Sequence, residues 1–135
     1  MRSKPCLTTA DVKILTDACR EAIEAGSRTM TFAIVDDGGH LLHLSRDDGA
    51  RISTIDVATG KARTAAFSRS PTRLMEARLK ENPALFFLNA MPMQGGLPIL
   101  HEGQCVGGIG VSGGTPQQDE DAAEVALAAL CAAQG

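Results

Sequence analysis

The chain has 135 residues, a formal charge of −3 and no Trp or Tyr; its four aromatic residues are all Phe. Hydrophobic residues at 44% and charged residues at 21% match a folded domain rather than a disordered chain. The acidic balance argues against a general nucleic-acid binder, no apolar run approaches the roughly 20 residues of a membrane span, and Met1–Cys6 has no apolar stretch of the secretory kind. A cytoplasmic protein with neither nucleic-acid nor membrane partners is expected.

Residues 1–7 read as a lead-in to a single domain over 8–135. Thr8 and Asp11 form a capping box, and Val12, Leu15, Cys19, Ala22 and Ile23 follow at helical spacing up to Gly26. Met30–Val35 is apolar and β-branched, and Asp36-Asp37-Gly38-Gly39 turns it into a second strand, His40–Ser45. A helix over Ile52–Phe67 presents Ile55, Ala58, Ala62, Ala65 and Ala66 as a small-residue face suited to lying flat on a sheet. Ser70-Pro71 opens a short helix that Asn82-Pro83 closes, with Ser70 as cap. Residues 84–96 read as irregular. Leu97–His101 and Gln104–Val111 form a second hairpin, and Thr115, Pro116 and Gln118 start the last helix with another capping box. The order α-β-β-α-α-β-β-α calls for an α+β domain with an antiparallel sheet covered by helices.

Four cysteines without a C-x-x-C pair exclude a zinc ribbon or a thioredoxin-like motif, and no metal site is expected; Cys19 and Cys131 are expected in the core. Gly110-Val111-Ser112-Gly113-Gly114 matches the G-x-S-x-G nucleophile elbow, but no His follows His101 and the helix starts after Ser112, so the match is a decoy. The glycines at 107, 108 and 110 lie inside a strand, where they let another backbone or a flat ligand approach. Residues 61–80 hold six basic residues against the single acid Glu76, a net +5 that leaves −8 for the rest. Such a segment could meet an anionic ligand or an acidic surface of another subunit, with Lys61 the best single candidate for anion contact and Thr64 one turn away.

The runs Val35-Asp36-Asp37-Gly38-Gly39-His40-Leu41, Arg46-Asp47-Asp48-Gly49-Ala50 and Ala58-Thr59-Gly60-Lys61-Ala62-Arg63-Thr64-Ala65 resemble the GlcG/HbpS family, which is related to the C-terminal domain of PduO-type proteins. So do Gly95-Gly96-Leu97-Pro98-Ile99 and Gly107-Gly108-Ile109-Gly110-Val111-Ser112-Gly113-Gly114, followed by Asp119. The resemblance implies a profilin-like α/β/α fold, an oligomer and, for some members, haem binding with a proposed role in haem degradation.

Two functions are then expected in competition. A haem-binding protein would use His40 or His101 as the iron ligand and the basic segment as counter-charge for the propionates. A small-molecule catabolic protein would surround a carboxylated ligand with Arg46, Lys61, Thr64, Gly95 and Gly96, and move protons with His40 or Asp48. Either is expected as a homo-oligomer, a dimer or dimer-based assembly, because four strands leave two sheet edges and the Ala-rich helices offer more small faces than one sheet hides.

Overall fold

A computed structural model describes all of residues 1–135. Its elements are α1 (Thr9–Ala25), β1 (Thr31–Asp36), β2 (Leu41–Arg46), α2 (Ser53–Ser68), α3 (Thr72–Glu81), a 3-10 helix (Pro83–Leu88), β3 (Gly96–His101), β4 (Gln104–Ser112) and α4 (Pro116–Gln134). The expected α+β order is thus the observed one, and the stretch read as irregular holds all of the 3-10 helix but its first residue, Pro83. The strands form one antiparallel sheet in the order β2-β1-β4-β3. Both hairpin turns therefore lie at the same end of the sheet. Both capping boxes form, Thr8 with Asp11 and Thr115 with Gln118, each side chain satisfying the other's backbone N–H. Ser70 does not cap α3: Pro71 occupies that position, and the Ser70 hydroxyl donates to Ser68 Oγ instead.

The strand period of two separates the two sheet faces. Leu15, Cys19 and Ile23 of α1 and Ala122, Ala123, Ala126 and Leu130 of α4 pack on one face, against Phe32, Ile34, Leu97, Ile99, Ile109 and Val111. Each large side chain buried there contributes roughly 1.5–3 kcal/mol. The Ala face of α4 is consequently covered inside the chain rather than left for another subunit. Cys131, expected in the core, lies instead on the exposed side of that helix.

Across the sheet, α2 rests Ala58, Ala62 and Ala66 on Ala33 and Val35. It comes down so far that a Cβ at Gly110 would overlap the Ala58 carbonyl oxygen and lie 2.5 Å from Ala62 N. At Gly96 an added Cβ would stand 2.5 Å from Lys61 O. The glycines admit backbone here, not ligand. β3 is an edge strand, which is where Pro98 is tolerated. No helix is long and apolar enough to cross a membrane.

Candidate functional site

The outer side of α2 carries Thr59, Arg63 and Phe67 at helical spacing and borders two grooves. One, of about 410 Å³, lies between the β1–β2 turn and the end of the 3-10 helix, with His40, Phe67 and Leu88 in its wall. The second, of about 370 Å³, continues along Asp56, Thr59, Gly60 and Met91. Arg63 and Asn89 line both, so the two form one trough. Arg63 Nε donates to Gly39 O at 3.0 Å, bracing the turn against the helix.

His40 owes its place to Asp36. That carboxylate accepts the backbone N–H groups of Gly38 and His40, each at 2.9 Å, and its Oδ1 lies 3.3 Å from His40 Nδ1. Burial works against ionisation of Asp36, but the His40 and Gly38 N–H groups and the adjacent imidazole outweigh it, so its carboxyl sits below the usual range. Gly38 leaves room for the ring: a Cβ there would lie 2.9 Å from His40 Cε1. With Nδ1 tied to a carboxylate and the side chain 82% exposed, Nε2 remains as the open donor.

Lys61, Thr64, Gly95 and Gly96 also come together, but as a sealed joint. Lys61 is only 1% exposed; its Nζ donates to Val111 O at 2.8 Å and to Asp119 Oδ2 at 3.0 Å. Asp119 Oδ1 accepts the Gly114 N–H, so that backbone donor is already used. Burial raises the Asp119 carboxyl above its ordinary value, and Lys61 and the Gly114 N–H only partly offset this. Thr64 Oγ1 accepts Met91 N–H at 2.8 Å, clipping the loop before β3 to α2. Gly95 holds φ +130 with its absent Cβ position 2.7 Å from Lys61 Nζ, a space no side chain can share. The ammonium expected to meet a ligand carboxylate thus meets an internal one.

Arg46 and Asp48 do not join that cluster. They end and follow β2, while Gly95 and Gly96 open β3, and the two central strands lie between these edges. The pocket expected to combine all six residues is therefore not assembled within one chain. In the β2–α2 turn it is Asp47, not Asp48, that is engaged, accepting Met30 N–H and Arg20.

His101 lies at the opposite sheet edge from His40, its Nδ1 3.3 Å from Gln134 Oε1. It borders an aliphatic cavity of about 510 Å³ with Leu100, Leu127 and Leu130, and no basic residue lines that cavity. His43 points into the α1 side, stacked on Phe32 with centroids 5.6 Å apart. Burial, then the Arg20 charge, lowers its pKa. Ser112 is 7% exposed at the end of β4.

The trough residues that sequence reasoning missed are Asp36, Arg63, Phe67, Leu88 and Asn89. The Asp-x-Gly-x-His spacing carried a readable signal, since an Asp followed by Gly folds its carboxylate back on the next N–H groups. Arg63 was hidden in a basic run that the fold scatters: Lys61 inward, Arg63 to the turn, Arg73 to Glu120.

The sequence and fold have clear relatives. The family model for the haem-degrading protein HbpS-like group matches residues 7–128. GlcG of Escherichia coli K12 is 33% identical over 114 residues, 83% of this chain and 85% of that protein. Among solved structures, a double mutant of HbpS from Streptomyces reticuli is 32% identical with a TM-score of 0.89, covering 95% of this chain and 89% of that one. The PduOC–haem complex is 27% identical with a TM-score of 0.87, covering 93% and 95%. The chain belongs to the HbpS-like family.

Proposed function

We propose that this protein binds haem in the trough along α2, with His40 as the axial donor, and that it serves in haem handling as a homo-oligomer. The observation that carries the reading is the His40–Asp36 pair. A metal-binding imidazole commonly has its second nitrogen held by a carboxylate, which sets the tautomer and aims the free nitrogen. Phe67 and Leu88 supply apolar wall and Arg63 a cation beside it, a donor set that fits a tetrapyrrole. The His101 cavity is apolar but has no cation for a propionate, which favours His40. The family match and the PduOC–haem relative support the same ligand. Bound haem would supply an iron centre; the chain's own part is to hold it, orient it and screen one face from water.

The carboxylated-metabolite reading loses its main support with Lys61 committed to Asp119. Self-association draws its support from the adjacent apolar surface outside the trough: the neighbouring Phe86 and Phe87 are 67% and 89% exposed.

Haemin titration followed by absorption tests the proposal. Wild type is expected to give a shifted Soret band, His40→Ala to lose it without a change in Tm, and His101→Ala to keep it. A wild type without a Soret shift, or loss in His101→Ala alone, would overturn the reading. Light scattering is expected to give a mass above the 14.1 kDa of one chain.

A further inference from the structure

Beyond the trough, the hairpin end of the sheet holds a large and predominantly polar cavity of about 730 Å³. Arg2, Lys4, Arg69, Gln104 and the half-buried Cys105 line it, together with Asp37. Asp37 also lines the His40 groove, so the cavity adjoins the trough at that residue. Lys4 is paired with Asp37, but none of the molecule's six ion pairs uses Arg2 or Arg69. Two guanidiniums therefore line this space unpaired, its one carboxylate, Asp37, being held by Lys4.

Arg69 is not there by accident of a loose loop. It ends α2 in the left-handed conformation, φ 55, two residues after Phe67 in the trough wall. Arg63, the other cation along the way, spends its Nε on Gly39 O. From the Phe67 and Leu88 wall beside His40 to Arg69, the surface thus passes from apolar contact to uncommitted positive charge. An elongated ligand with an apolar body and acidic groups at one end matches that gradient, and guanidinium is suited to carboxylate through paired N–H donors.

We infer that the Arg2–Arg69 cavity is the carboxylate-binding end of the trough, so that the ligand class is a tetrapyrrole bearing free propionates, held acid groups first toward the hairpin turns. This rests on the haem reading above and deepens it: His40 would take the metal, and Arg69 would decide which tetrapyrroles enter. Esterified tetrapyrroles should be discriminated against by the arginines, independently of the metal.

The test compares haemin with haemin dimethyl ester, and protoporphyrin with its dimethyl ester, on wild type, Arg69→Asn and Arg69→Lys. Asn tolerates positive φ, so the first variant keeps the helix end, which a Tm measurement verifies. Wild type is expected to prefer each free acid about tenfold, a preference that shrinks as salt is raised. Arg69→Asn should bring the ratio near one for both pairs, and Arg69→Lys should retain part of it. Equal binding of acid and ester by wild type, with the Soret shift intact, would overturn the subsite and leave haem binding standing. No Soret shift with any haemin species would overturn both. A preference unchanged in Arg69→Asn would assign discrimination to other residues and reject this site.

Discussion

Across β1, β4 and β3, the row facing α1 and α4 reads Ile34, Ile109, Leu97, whereas the next row, facing α2, reads Ala33, Gly110, Gly96. The first face is filled by long aliphatic side chains between helix and strand. On the second, helix backbone lies almost on strand backbone, and the stuffing is Ala. Apolar area is the stabilising quantity on the first, close approach on the second. The thin side also explains the site. Because α2 is sunk onto the sheet, the β1–β2 turn stands beside its outer side, close enough for Arg63 to reach Gly39 O.

The contrast breaks most sharply at neighbouring residues 110 and 111. Gly110→Ala adds one methyl where α2 backbone already sits, and is expected to cost about 3 kcal/mol or more, or to abolish folding. Val111→Ala removes two methyls from the thick face and is expected to cost about 2 kcal/mol. Thermal denaturation of the pair checks the order; equal losses would mean the two faces are not built differently.

A second test separates apolar packing from the buried ion pair that ties α2 to α4. Lys61→Met leaves Asp119 buried without its partner, an expected loss of about 3–5 kcal/mol. The double variant Lys61→Met with Asp119→Asn keeps an acceptor for the Gly114 N–H and should recover most of that loss. Urea unfolding of the single and double variants gives the comparison directly. A single variant as stable as wild type would show that the pair is idle.

The smallest expected effects are in pH dependence, where two groups have opposite signs. His43, on the thick side, has a folded pKa below its ordinary value of 6.5, so its contribution is full above that pH and drains as pH falls toward the folded value. Asp119, at the start of α4 where it meets Lys61 of α2, has a folded pKa above 3.8, so its contribution is greatest below that pH and declines as pH rises through the folded value. His43→Gln is expected to flatten the acid-side fall in Tm below pH 6.5, and Asp119→Asn to remove the opposing slope just above pH 3.8. Unchanged Tm profiles in both variants would place these groups outside the stability balance.

The α+β order, the capping boxes and the glycine strand were legible because each rests on local spacing, as Thr8–Asp11 and Thr115–Gln118 show. Lys61 was legible as a special residue, a lone cation on an Ala face, but its partner Asp119 lies 58 positions away and no local pattern links them. The same distance hid the trough. Arg63, Asn89 and His40 come from three elements whose adjacency depends on how low α2 settles, and that depth is set by Gly108 and Gly110 on a different strand. Ser70 and Cys131 were misplaced for a simpler reason: a capping residue type and an apolar neighbourhood are preferences, and tertiary packing overrode both.

The sheet order has a kinetic consequence. Each hairpin joins residues close in the chain, but the central pair, β1 with β4, brings together Thr31 and Ser112, about eighty residues apart. Closing so long a loop is entropically slow, and the two hairpins can form well before it happens. Until then each hairpin carries an unpaired central strand, which is the species most exposed to wrong partners. Arrival of α2 ends that vulnerability only when Gly108 and Gly110 of β4 pass beneath it, so the docking of the two halves and the creation of the trough are the same folding event.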